Sequence, residues 1–374
     1  MADQKIQAAD LPKRYIAMPK ETTFLEACCH NDNWKPGVVL VPVTAEFHPE
    51  VTGLYEADLK TERVTKLCPL PATGLFFGCK VTDEGVCYVC VGNERRVVAV
   101  DLSSSVPSAV EVAKFPGEFE PNDVAVDVAN NRLLICCNDM PYDVMTTKGQ
   151  ILNSLKSSAK QSGTIFSVPL LHSSVPLGSE GMQVFASGFK VLAGSVCVPA
   201  DGALWVSELN NLARVPLDGS KWERFLPFDK TLLADNMEVI GDEVVAFPYY
   251  RQVSRLEAVI LTSTPLSRMA YGLASCCNYC VINKVIQEDK ETELRVKEKE
   301  IDPEVGRTAP DVFEDVCFGF YNIKTKEMKS VRVDVAHKGF DGHCTHMERV
   351  KSDLVFINYL KHEILVVDAA SILC

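Results

Sequence analysis

The stretch GLFFGCKVTDEGVCYVCVGNERRVVAVDL, residues 74–102, decides the fold. It reads as an apolar strand, an Asp-Glu-Gly turn, a second apolar strand, a polar Gly-Asn-Glu-Arg loop and a third strand that ends at Asp101. Runs of β-branched and apolar residues bounded by such turn formers are strands joined by hairpins. The same phrase returns along the chain. NDVAVDVANNRLLICCND (122–139) with GTIFSVPL (163–170) is a second copy, AGSVCVPADGALWVSELNNLARVPLDG (193–219) a third, DNMEVIGDEVVAFPYYRQVSRL (235–256) a fourth and CTHMERVKSDLVFINYLKHEILVVD (344–368) a fifth. With a first copy near residues 36–68 the count is six. Repeats of about 40 residues, several strands each, are the blades of a β-propeller, because no blade buries both faces without neighbours. The expected class is therefore all-β, a six-bladed β-propeller forming a single domain over residues 1–374; the competing division is into two β domains split near residue 230. A ring leaves an edge unless its ends meet, so a strand near Arg14 to Met18 is expected to complete the last blade, which ends near Leu373.

Two stretches interrupt the rhythm. Residues 140–160 are rich in Ser, Lys and Gln and read as a rim loop or short helix. Residues 262–311 open with PLSRMAYGLASCCNYCVINKVI, which suits a helix with an apolar face, and continue with the charge-alternating QEDKETELRVKEKEIDPE. This helical and charged insertion between late blades lacks the Lys/Arg-rich polar face of a membrane-surface helix and is expected to pack on its own protein.

Composition narrows the function. The 374 residues carry 38 basic and 50 acidic side chains, a net charge of −12, with no basic cluster to neutralise phosphates, so nucleic acid is a poor partner. The first 18 residues hold no apolar leader and no window reads as a membrane span, which makes the cytoplasm the expected location. Fifteen cysteines without an export signal are expected to be free thiols packed as small apolar residues, Cys28/Cys29, Cys136/Cys137 and Cys276/Cys277/Cys280 among them. Cys277 to Cys280 is a lone CxxC with no second ligand pair nearby, so neither a zinc site nor a redox motif is assigned to it. The nucleophile elbow, zincin, P-loop and dinucleotide motifs are missing from their required contexts.

Chemistry is expected where the innermost strands begin and converge on the central channel. The polar residues at those positions are Glu26 in FLEACC, Asn122 and Asp123 in EPNDVAVD, Asp235 and Asn236 in LADNMEV, and His343 and His346 in DGHCTHM. Carboxylate and amide oxygens from several blades are the hard ligands that calcium needs. A bound calcium polarises a carbonyl or phosphoryl oxygen while a carboxylate or His handles the proton.

At these residues the chain resembles the six-bladed propellers of the senescence marker protein/gluconolactonase, diisopropylfluorophosphatase, paraoxonase and strictosidine synthase superfamily. PNDVAVD with NNRLLICCND, VPADGALWVSELNNLARVPLDG and DNMEVIGDEVVAF carry the likeness, which spans roughly Glu26 to Asp368. GLFFGCKVTDEG looks most like diisopropylfluorophosphatase and gluconolactonase, and PLSRMAYGL more like paraoxonase and strictosidine synthase. The resemblance implies a calcium held by Glu26, Asn122 and Asp235, with Asn236 a further ligand. It implies hydrolysis of a lactone or ester in which Asp235 or His346 activates water. Asp123, His343, Phe77 and Tyr359 would line the pocket for a small-molecule substrate. The chain also departs from the pattern: Leu192-Ala193-Gly194-Ser195 stands where the family has a second Asn, and the family's His positions fall near Phe76 or Phe77 and at Tyr359. Those losses favour the alternative, a metal-free propeller that binds a small molecule or protein, or condenses substrates as strictosidine synthase does with a late acidic residue, for which Glu348 is the nearest candidate.

Overall fold

A computed structural model describes residues 3–7, 13–117, 119–139, 163–170, 181–208, 211–227, 232–241, 243–252, 313–334, 344–358 and 362–373. These residues form six sheets, the blades of a β-propeller, antiparallel but for one added strand in blade 5. Blade 1 comprises Cys29–His30, Val38–Val43, Gly53–Asp58 and Arg63–Pro69; blade 2 comprises Phe76–Val81, Val86–Val91, Arg96–Asp101 and Ala109–Lys114. Blade 3 comprises Phe119–Asp127, Arg132–Asp139, Gly163–Pro169 and Gln183–Phe189; blade 4 comprises Leu192–Val198, Ala203–Glu208, Asn211–Pro216 and Glu223–Pro227. In blade 5 the inner strand is broken into Leu232–Ala234 and Glu238–Ile240, both paired with Val244–Gln252, and Phe313–Asn322 and Met328–Asp334 follow. Blade 6 comprises Cys344–Val350, Asp353–Asn358 and Glu363–Asp368. The first strand of each blade touches the first strand of the next, and that of blade 6 touches that of blade 1, so the inner strands close a ring. The two insertions expected at 140–160 and 262–311 lie outside the described residues.

The ring is fastened by the N-terminal segment. Lys13–Ala17 pairs antiparallel with Glu363–Asp368 as the outer strand of blade 6, one residue from the position expected from sequence. A second segment, Asp3–Gln7, runs parallel to Met328–Asp334 on the outside of blade 5. The sequence DQKIQ has no apolar alternation, so this strand was not foreseen.

Six apolar clusters fill the six interfaces between neighbouring blades. Strands with a buried residue at nearly every position, such as VVLVPV (38–43) and RLLICCND (132–139), are sandwiched on both faces, which is why they read as continuous apolar runs. Trp205 is fully buried between blades 4 and 5 against Phe225 and Tyr321, as expected for a blade-packing Trp. The repeated Asp residues have a local cause. Asp127 accepts from Asn130 N–H and Arg132 Nε (2.8 Å), and this shapes the one-turn helix Val128–Asn130 that returns the chain into the next strand. In blade 4 Asp201 plays the corresponding part, accepting from Trp205 Nε1 and Arg214 Nε, each at 2.8 Å.

Candidate functional site

The inner strands share one irregularity, and it builds the site. Their pairing slips between Phe76 and Cys79 in blade 2, Pro121 and Asp123 in blade 3, Leu192 and Gly194 in blade 4, and Cys344 and Met347 in blade 6; in blade 5 the strand is interrupted at Asp235–Met237. A bulge leaves an extra residue unpaired and re-aims its side chain. Phe77, Asn122, Asp235, Asn236 and His346 all sit on these bulges or the break, and Glu26 lies just before the short inner strand of blade 1. Two glycines allow the bulges to meet. A Cβ on Gly78 would overlap Asp123 Oδ1 and come within 2.7 Å of Asp123 Cα, and one on Gly194 would overlap Asn236 Cα.

Across the channel runs an ion-pair strut. Lys80, on the inner strand of blade 2, places its Nζ 2.8 Å from Glu238 Oε2 of blade 5 and 2.8 Å from Glu348 Oε1 of blade 6. Blades 2 and 5 are opposite members of the six-membered ring, so the lysine spans the axis. Its side chain keeps 16 % of its surface, Glu238 17 % and Glu348 3 %. Burial disfavours every one of these charges, and geometry sets the outcome. Burial by itself would push the Lys80 ammonium down, but Glu238 and then Glu348 hold it well above the usual range. Burial, reinforced by the neighbouring Glu348, pushes Glu238 up to about 7. Glu348 is likewise raised by burial.

His346 joins this centre. Its Nε2 lies 3.2 Å from the same Glu348 oxygen that binds Lys80. Burial, then the Lys80 charge, pushes the imidazole down to about 4, so it is neutral at physiological pH. Glu348 Oε1 already accepts from Lys80 Nζ, so the neutral ring meets that oxygen as a donor through Nε2–H, which leaves Nδ1 as an acceptor. Nδ1 is buried without a hydrogen-bond partner among the described residues. On the blade 3 side, Asp123 Oδ2 accepts from Ser195 N–H (2.6 Å) and Ser195 Oγ–H (2.9 Å), while its buried Oδ1 has no hydrogen-bond partner among the described residues. Burial raises the Asp123 carboxyl.

The residues nominated from sequence fare as follows. Glu26, Asn122, Asp123, Asp235, Asn236 and His346 are all buried polar residues at the inner-strand starts of blades 1, 3, 5 and 6. Asp235 Oδ1 accepts from the Asn236 N–H at 3.0 Å. Phe77 is buried, its ring over Gly92 and edge-on to Phe24 at 5.5 Å. His343 and Tyr359 lie outside the described residues. Sequence reasoning missed Lys80 and Glu238 and considered Glu348 only by analogy. The available signal was a charged residue at an inner-strand position within each of FFGCKV, DNMEV and THMER.

Glu26, Asn122, Asp235 and Asn236 suit calcium in donor type, being oxygen ligands from three blades. Among the described residues no three His, Cys, Asp or Glu are grouped to hold a metal, so an ion at this place depends on the amide oxygens of Asn122 and Asn236. At the inner-strand start of blade 4 stands Ser195, whose hydroxyl is committed to Asp123.

No protein-family model and no curated protein sequence matches the chain. Solved structures do. A streptogramin B lyase aligns with a TM-score of 0.52 and 10 % identity over 96 % of this chain and 97 % of that one. A candidate gluconolactonase from structural genomics aligns with a TM-score of 0.52 and 10 % identity over 97 % and 93 %. At such identity the likeness speaks for the strand arrangement alone. The chain is thus a six-bladed β-propeller, similar in fold to these two proteins, as its repeated strand phrase predicted.

Proposed function

We propose that this propeller is a calcium-dependent hydrolase of a small lactone or ester, acting at the mouth of its central channel within a single domain. The observation that carries the reading is the set of buried oxygen donors Glu26, Asn122, Asp235 and Asn236 at the inner-strand starts of three blades. These four would hold the ion, which when bound polarises the carbonyl of the substrate. Asp235 is the proton acceptor for the attacking water. His346, neutral and fixed by Glu348, offers Nδ1 as an acceptor that orients the water or a substrate hydroxyl. The Lys80 ammonium, bound to the same Glu348 oxygen, holds that carboxyl in place and so preserves the imidazole orientation. Nine free thiols among the described cysteines, eight of them buried, suit a reducing compartment such as the cytoplasm. No described helix is long and apolar enough to cross a membrane.

The test is metal content of the purified chain together with thermal unfolding in calcium and in excess chelator, since a ligand that binds only the native state raises its midpoint. One calcium per chain, a chelator-sensitive midpoint and lactone or aryl-ester turnover that Asp235→Ala abolishes are the expected results. Turnover retained by Asp235→Ala overturns the assignment. A second reading, a metal-free pocket for a small molecule or protein, is favoured by one observation: Lys80 already supplies a cation to two channel carboxylates while Ser195 is spent on Asp123. Under that reading chelator leaves the midpoint unchanged and no hydrolysis appears.

A further inference from the structure

Behind the channel wall, between blades 1 and 2, three cysteines meet. Cys29 opens the inner strand of blade 1, Cys79 lies on the inner strand of blade 2 and Cys87 on the strand beside it. All three are fully buried in one apolar cluster with Leu40, Leu54 and Val89. Cys29 Sγ lies 4.0 Å from Cys87 Sγ, across the blade interface. A disulfide requires about 2.05 Å between sulfurs, so oxidation has to draw the two about 2 Å closer. Burial alone pushes the Cys29 thiol up, but hydrogen bonds from Cys79 and Cys87, and then the Lys80 charge, outweigh it and hold Cys29 well below the usual thiol range. Its partners move the other way: the bond to Cys29 and burial raise Cys87, and burial raises Cys79. Cys79 immediately precedes Lys80, whose side chain keeps 16 % of its surface exposed.

We infer that Cys29 and Cys87 form a peroxide-sensitive thiol pair, closing on oxidation to a disulfide that staples blade 1 to blade 2. The Cys29 thiolate attacks hydrogen peroxide: an S–O bond forms, the O–O bond breaks, two electrons pass from sulfur to the leaving oxygen, and that oxygen departs as hydroxide and is protonated to water, giving a sulfenic acid. Cys87 then attacks that sulfur; the S–S bond forms, the S–O bond breaks, and the departing hydroxide takes the thiol proton as a second water. A thiol reductant reverses the link.

The neighbouring cysteines provide internal controls. Cys28, the adjacent residue, belongs to a different cluster, between blades 6 and 1. Cys136 is as deeply buried in blade 3, and burial pushes it up with no thiol donor to hold it down. The full-length chain is treated with hydrogen peroxide, remaining thiols are alkylated, and tryptic peptides are sequenced by mass spectrometry. Expected is a link between Cys29 in the peptide 21–60, which trypsin leaves uncut at Lys35-Pro36, and Cys87 in VTDEGVCYVCVGNER (81–95), forming about tenfold or more faster than any modification of Cys136. Cys87→Ser is expected to leave Cys29 as a sulfenic acid that a dimedone probe captures. Oxidation of Cys29 and Cys136 at equal rates, a link from Cys28 or to Cys79 instead, or an unmodified Cys29 overturns the inference, and the first of these is read in the wild-type chain whether or not a variant folds.

Discussion

Replacing Lys80 by Met keeps most of the apolar stem, one atom shorter, and removes the charge, which leaves Glu238 and Glu348 without their shared cation inside the channel. Breaking a buried ion pair by deleting one partner costs about 3–5 kcal/mol, because the remaining charge stays buried and uncompensated. The carboxyls have an escape: they can take up protons. Holding one Glu neutral, against an ordinary value of 4.5, costs about 0.7 kcal/mol at pH 5 and close to 5 kcal/mol at pH 8 at about 1.36 kcal/mol per unit. At pH 5 protonating both acids is the cheaper course, and the variant is destabilised by only about 1.5 kcal/mol. At pH 8 protonation no longer helps and the loss rises to about 3–5 kcal/mol. The sign follows from linkage: carboxyls whose folded values are raised stabilise the fold below their ordinary value and lose that contribution as pH rises through the folded one. Urea unfolding of wild type and Lys80→Met at the two pH values measures both losses, and Lys80→Met combined with Glu238→Gln and Glu348→Gln should recover most of the pH 8 loss. A pH 8 loss below about 1 kcal/mol, or one equal at both pH values, would refute the strut and mark Lys80 as a hydrated surface-type pair.

The other expectations are shorter. His346 is depressed from 6.5 to about 4, so the unfolded chain takes up its proton first and the residue costs stability as pH falls through that window. Glu238 acts in the opposite sense between pH 7 and 4.5, so the stability gap between wild type and His346→Gln isolates the imidazole and should shrink by about 2–3 kcal/mol from pH 7 to 4.5; a constant gap in urea titrations counts against a buried neutral His. Gly78→Ala and Gly194→Ala force a methyl into the backbone of the neighbouring blade and should each cost about 1–3 kcal/mol in the same titration, more than Gly117→Ala, where a Cβ meets nothing within 4 Å. Because Gly117 has a φ of +61°, its own substitution carries strain without overlap, and equal losses at all three positions would undercut the close-approach argument. Deleting residues 1–18 removes the outer strand of blade 6 and exposes the edge of Glu363–Asp368, so concentration-dependent association in light scattering is expected, and a monodisperse truncated chain is the contrary result.

The fold was legible because every blade repeats the same local chemistry, and hairpin signals such as TDEG (82–85) and PADG (199–202) act within a few residues of the strands they join. Closure at Lys13–Ala17 was legible too, since a ring with one unmatched edge has few ways to complete itself. The inner strand of blade 1 was harder: only Cys29–His30 pairs there, too short a run for periodicity to register, and the first copy was therefore placed from residue 36. The polar starts of the inner strands were legible as a class, for a buried Asn-Asp or Asp-Asn amid apolar runs is conspicuous. Their connections were not. Lys80 reaches Glu238 across 158 residues and Glu348 across 268, and Ser195 reaches Asp123 across 72, distances over which one-dimensional pattern carries no register. Ser195 shows the consequence most plainly. From sequence it stood only within the stretch Leu192-Ala193-Gly194-Ser195 that takes the place of an Asn in the resembled family; in the fold both its N–H and its hydroxyl are donated to Asp123. The lysine carries the same lesson in reverse. A lone basic residue in an apolar inner strand reads as an intruder until the ring is closed, and then it is the group whose charge both opposing carboxylates require.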